Sequence, residues 1–150
     1  AFEMLSTGRI VRVLPPVLGD DLKRTTFRSG DRTLDNMLEE CQTKFSDRNP
    51  LVRREALERL WDAWERLKSL ADPRDKKQSI KIILDAVVAE PILRSRLETE
   101  AVELTAIGNS HLIRHSEVNQ VAVIDVDHVD YLFHRLFAMI QLMLRKKGNA

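Results

Sequence analysis

From Pro50 to Leu70 the chain sets Leu57, Leu60, Trp61, Trp64 and Leu67 at three- and four-residue steps, and this stripe constrains the fold most. Such spacing puts one apolar face on an α-helix and cannot line up on a strand. Asn49 followed by Pro50 supplies a start signal, because Asn accepts from the free backbone N–H groups and Pro suits the first turn. Glu55–Arg59 and Asp62–Arg66 stand four apart with the acid first, the favourable order for ion pairs along a helix. Trp61 and Trp64 lie on the stripe and are expected in the core.

The same period recurs. Leu34, Met37, Leu38, Cys41 and Phe45 predict a helix over Thr33–Phe45. Ile80, Ile82, Ile83, Ala86 and Val87 predict another over Lys76–Ala89, after the turn at Asp72-Pro73. Glu90-Pro91 restarts the chain into Ile92–Ile107, and Gly108-Asn109 reads as its stop, since both residues tolerate left-handed angles. A last helix begins near Asp125 or Asp127 and runs to about Lys146. Its apolar residues (Val129, Leu132, Phe133, Leu136, Phe137, Met139, Ile140, Met143, Leu144) cover most of its circumference. A helix of that kind is either central to a bundle or shared with a second subunit. The expected fold is therefore all-α, a four- to five-helix bundle over residues 31–150.

Residues 1–30 read differently. Arg9-Ile10-Val11-Arg12-Val13-Leu14 alternates before Pro15-Pro16, which suits an edge strand or an extended arm. That lead-in, with Ala in first position, is what a piece of a longer polypeptide with a further N-terminal domain would show. With 150 residues, 43% hydrophobic and 31% charged, the chain has enough apolar material for one core without staples. Aromatics make up only 5%, so an aliphatic core is expected. A formal net charge of +1 excludes nucleic-acid binding through bulk charge and leaves only a local patch. No apolar run resembles a signal peptide or a membrane span, and Asp130, His134, Arg135 and Gln141 interrupt the most apolar stretch. A soluble, cytoplasmic protein is expected. Cys41, the single cysteine, reads as a small core residue.

Glycine-rich phosphate loops, a GxSxG elbow and a cysteine pair for zinc are all missing from the sequence. No cofactor is expected. All four histidines fall in the last forty residues, as His111, His115, His128 and His134. His134 reads as a packed or interface histidine. The other chemistry-bearing groups crowd into Asn109–Glu117, between two apolar helices. Within the connection, His111–Arg114 suits a helical turn and Val121–Ile124 an extended piece. Three readings of the string stand side by side. Asn109 and Ser116 cap helix ends while Arg114 and Glu117 hold the loop; His111 and His115, four apart, form one edge of a metal site; or a histidine acts as general acid/base on a phosphodiester while Arg114 steadies the phosphate. Plain ligand binding is a further option.

The order of the helices, the stretch Arg54–Lys68, the string Ile107-Gly108-Asn109 with Ile113-Arg114-His115-Ser116-Glu117, and Asp130–Leu136 together resemble the HEPN superfamily, in particular its Abi-type members from bacterial defence systems. The resemblance covers roughly residues 33–146 and is one of pattern and architecture. It implies a helical bundle and, in active members, a metal-independent RNase whose motif is an Arg, often an Asn, four to six residues, then a His. On that pattern His115 matches the motif His, as general acid/base, and Asn109 the polar residue. The motif Arg falls on Gly108, a departure, and Arg114 would supply a cation from another direction. His111 and Glu117 would flank the site as binding residues, with RNA as the partner and a homodimer formed through the last helix. Members without the motif serve as RNA-binding, regulatory or dimerisation modules, so a non-catalytic interaction domain is the alternative.

Overall fold

The computed structural model describes residues 2–4, 10–12, 27–111 and 121–145. Among them, five helices carry the fold: α1 (Arg32–Phe45), α2 (Pro50–Lys68), α3 (Lys76–Val87), α4 (Pro91–Ser110) and α5 (Val126–Leu144). Two three-residue strands, β1 (Phe2–Met4) and β2 (Ile10–Arg12), pair antiparallel ahead of them, with Glu3 opposite Val11. The second of these lies within the alternating segment expected to be extended. No described helix is long and apolar enough to cross a membrane.

Each helix starts where a side chain can take up its free N–H groups. Asp31 accepts from the Leu34 amide, Asn49 from Leu51, Asp75 from Gln78, Glu90 from Ile92 and Leu93, and Asp125 from Asp127 and His128. Pro50 and Pro91 occupy the first turn of their helices, where a missing N–H costs nothing. Ahead of α1 the backbone turns through Gly30, whose φ of +89° lies in the region a side chain disfavours. Ser29 closes this turn by donating from both its N–H and its hydroxyl to Asp35.

Helix α2 is the hub, packing along α1 on one side and α5 on the other, with α3 joined at its end. Trp61 and Trp64, with Phe45 and Phe133, are the largest fully buried side chains, so these aromatics sit at the centre of an aliphatic core, while Tyr131 is exposed. Phe45 stacks on Phe133 at 3.8 Å between centroids, Phe133 on Phe137 at 5.9 Å, and Phe27 meets Phe137 edge-on. This column ties the end of α1 and the lead-in residue Phe27 to α5. Nine residues of α5 are buried, from Val129 to Leu144. Its broad apolar face is therefore explained by its central position. His134 packs edge-on against Phe45, 5.3 Å between centroids. Cys41 is fully buried, and that burial pushes its thiol well above the usual range, so it is held as an uncharged core group.

Polar groups stitch the helices together across their faces. Arg59 donates to Glu40 at 2.6 Å and Lys44 pairs with Glu55 at 3.1 Å, both between α1 and α2. Arg66 grips Asp31 with two parallel bonds of 2.9 and 2.8 Å. The sequence spacing suggested pairs along α2; Arg59 does pair with Asp62 along it at 3.8 Å, and both Arg59 and Arg66 also span to the neighbouring helix and its cap. Lys68 is buried, donates to Thr105 at 2.8 Å, pairs with Glu65 and lies 5.5 Å from the centre of the Trp64 ring. Lys76 pairs with Glu65 from the start of α3 at 3.0 Å. At the turn between α2 and α3, the buried Ser79 hydroxyl accepts from the amides of Ala71 and Asp72.

Among the described residues, three carboxyls are held below their ordinary range. Hydrogen bonds from Arg66 and from the Leu34 amide lower Asp31. Burial opposes ionisation of Glu65, but the hydrogen bonds from Lys68 and Lys76 outweigh it. Glu90 is lowered by the Leu93 and Ile92 amides. A carboxyl whose pKa is depressed on folding adds stability above its unfolded pKa, and that contribution is lost as pH falls toward the folded value. The melting temperature is therefore expected to fall as the solution is taken from about pH 6 to about pH 3. Asp31→Asn keeps a good cap but removes the charge, so its melting temperature should depend less steeply on pH across that window. A slope equal to that of the unsubstituted protein would exclude the Asp31–Arg66 pair as a contributor.

Candidate functional site

The described part of the polar string, Asn109 to His111, sits where α4 ends. Helix α4 does not stop at Gly108-Asn109. It continues through both residues to Ser110, and His111 closes it with its N–H on the Ile107 carbonyl. The reason is tertiary. Gly108 is buried, and a Cβ built on it would fall inside the van der Waals envelope of Trp61 Cδ1 and Nε1, with Cγ 3.1 Å away. The indole cannot easily yield, because its Nε1–H donates to the Leu104 carbonyl at 2.8 Å in a fully buried setting. Glycine at 108 therefore marks a notch in α4 that receives the indole, where sequence reading saw a helix stop.

Beyond α4 the chain comes back to where it left. The Val121 N–H donates to the Ser110 carbonyl at 3.0 Å, and the His111 ring meets the Val121 carbonyl through Nδ1 at 2.9 Å. A carbonyl only accepts, so Nδ1 carries the proton in that contact, and the neutral ring has its lone pair on Nε2. Residues 121–125 are non-helical, in line with the expected extended piece. Arg54 of α2 pins this piece by donating from Nε to the Val123 carbonyl at 2.9 Å, while its Nη1 pairs with Glu58 at 3.3 Å. Burial draws the Arg54 pKa below its usual value, against the opposing pull of Glu58.

Concavities lie on both sides of the pinned segment. One, of about 140 Å³, is lined by Pro50, Leu51, Arg53, Arg54, Val123, Ile124, Val126 and Val129. The other, a shallow depression of about 430 Å³, includes Ile107, His111, Val121, Asp125, His128 and Leu132. His128 thus shares a depression with His111, a grouping that the spacing in sequence did not suggest. The surroundings are apolar: Ile124 is 85% exposed, Leu51 73% and Val121 66%. Arg53, by contrast, is buried, and its Nη1 is spent on the Asp47 and Arg48 carbonyls that follow α1.

Of the residues singled out from sequence, Asn109 lies exposed near the end of α4 and His111 is half-buried at its cap. Arg114, His115 and Glu117 lie outside the described residues, as does the helical turn expected over His111–Arg114 beyond His111 itself. Among the described residues no group of three or more His, Cys, Asp or Glu is placed to hold a metal ion. Sequence reasoning missed Arg54 and Val123 as the anchor of the return segment. Their link spans 69 residues, and nothing in local spacing could reveal it. No family model, no curated protein and no solved structure matches this chain.

His111→Ala removes one of the two ties between Ser110-His111 and Val121. A single hydrogen bond of this kind contributes on the order of 1 kcal/mol, so amide exchange at Val121 should quicken roughly three- to tenfold by the same principle. The melting temperature should hardly move, since no core contact is lost. A large drop in melting temperature with unchanged exchange at Val121 would contradict this local role.

Proposed function

We propose that this bundle is a non-catalytic interaction domain, related in helical arrangement to HEPN domains and not itself a nuclease. The close packing of Trp61 on Gly108 carries the reading. The resemblance assigns the motif Arg to position 108, and any side chain at that point would run into an indole held by its own hydrogen bond. An arginine there needs a different contact between α2 and α4. What remains for phosphate chemistry is Arg114 and Asn109, with His115 as the general acid/base, and that set lacks the cation the motif places beside the scissile phosphate.

The surface around the candidate site supports the same reading. Leu51 and Ile124 present exposed apolar side chains on one concavity, and Val121 and Ile124 on the other. Clustered apolar exposure marks contact with protein more often than contact with a phosphate backbone, which calls for Lys and Arg at the surface. His111, with its Nδ1 committed to Val121, serves the local structure at the edge of this patch.

The test is cleavage of structured RNA in EDTA by the purified chain and by its His115→Ala variant. Both are expected to leave the RNA intact at matched melting temperatures. Cleavage by the unsubstituted chain that disappears in His115→Ala, with the melt unchanged, would overturn the proposal in favour of a working metal-independent RNase.

A further inference from the structure

Helix α4 is the least enclosed of the five. Only Ala101, Leu104 and Gly108 of its 20 residues are buried, all in its second half. At 1.5 Å per residue it is about 30 Å long, and its first half lies at the margin of the core, which it meets through the partly buried Leu97. Its inward stripe carries Leu97, Ala101, Leu104 and Gly108. Its outward stripe is Ile92, Ser95, Thr99, Val102, Ala106 and Asn109, every one of them exposed. The steps between these are three, four, three, four and three, the seam of a helix that packs along another helix. Ile92 is 68% exposed and Val102 56%.

Charge on the edge of this seam says what would cover it. Arg96 and Glu103 follow Ser95 and Val102, seven residues apart on the same flank, and both are exposed. Neither makes an ion pair among the described residues, whereas Arg94, on the other flank, is engaged with Asp85 at 2.6 Å and Glu98 at 3.3 Å. Two copies of α4 laid antiparallel about a two-fold axis between Thr99 and Val102 bring Arg96 of each against Glu103 of the other. The pairing is then made twice by a single operation, as an isologous interface requires. Ser95, Thr99 and Ala106 are small enough to let the two axes approach closely.

We propose that the chain self-associates through this outward face of α4, in an antiparallel pair sealed by the reciprocal Arg96–Glu103 contacts. The inference rests on the interaction-domain reading above and names its partner as a second copy. It also relocates the dimer face expected on α5, whose apolar side is occupied within the bundle. One helix face is smaller than the standard interface of about 800 Å² per partner, so the dimer should depend on concentration.

Sedimentation of the full chain over a wide concentration range tests this, with Arg96→Glu, Glu103→Arg and the double exchange. The unsubstituted chain is expected to form a dimer as concentration rises. Each single variant sets like charges across the axis and should weaken association about tenfold or more. The double variant restores opposite charges and should recover most of the loss. At concentrations where all four chains are monomers they should melt alike, because neither residue makes an ion pair among the described residues. A chain that stays monomeric throughout, single variants that associate like the parent, or a double variant weaker than both singles would each overturn the proposal. RNA cleavage that depends on His115 would instead overturn the parent reading, whatever the mass; a monomer that leaves RNA intact fails only the dimer.

Discussion

One contact organises the rest of this structure: the Trp61 indole lodged against Gly108, with its Nε1–H on the Leu104 carbonyl. Helix α2 already presents one side to α1 and another to α5. Trp61, Trp64 and Lys68, spaced three and four apart, form a third face, directed at α4. Trp64 and Lys68 both reach Thr105, at 3.1 and 2.8 Å. Without a glycine at 108 the indole would have no notch to enter, and the late part of α4 would stand off from α2. The position of α4 in turn sets where Ser110 and His111 lie, and hence where Val121 can be caught on the way to α5.

Much of this architecture was legible in the sequence because its signals are local. Asn49-Pro50 and Glu90-Pro91 mark helix starts through the cap and the missing N–H, and both act as starts in the folded chain. The apolar periods of α1, α2 and α5 name most of the core. What escaped reading was set by tertiary contact. Gly108-Asn109 carries the local chemistry of a helix end, yet α4 continues because its glycine answers to a tryptophan 47 positions earlier in the chain. The acids and bases of α2 have the right spacing for pairs along the helix, and Arg59 makes one with Asp62, but Arg59 and Arg66 also extend to Glu40 and Asp31, which the spacing did not show. The breadth of α5 allowed two explanations, and in the packed structure nine of its residues are buried within the bundle.

The candidate site was legible in part. Asn109 and His111, the described part of the cluster, lie at the end of α4, and His111 is held there by geometry that defines its proton. The neighbours of the site were not legible. His128, Arg54 and Leu51 come from other elements, and the exposed side chains of Leu51 and of Ile124 in the return segment add apolar surface that the polar string does not suggest. A catalytic reading drew on polar residues adjacent in the chain. The folded surroundings add exposed apolar side chains, which is the ground for the proposed protein contact, and the exposed stripe of α4 runs away from the same junction.

The central claim is that position 108 is glycine because of Trp61, and Gly108→Ala tests it by sign. Helix propensity alone makes alanine at an internal helical position more stable by about 1 kcal/mol. A methyl group driven into a fixed indole costs about 1–3 kcal/mol by overpacking, so the two effects oppose each other. The structure predicts that thermal unfolding of Gly108→Ala occurs at a lower temperature than that of the parent, and that Trp61→Phe, which narrows the ring at the contact, reduces the penalty of the alanine in the double variant. An alanine that raises the melting temperature in the presence of Trp61 would contradict the account.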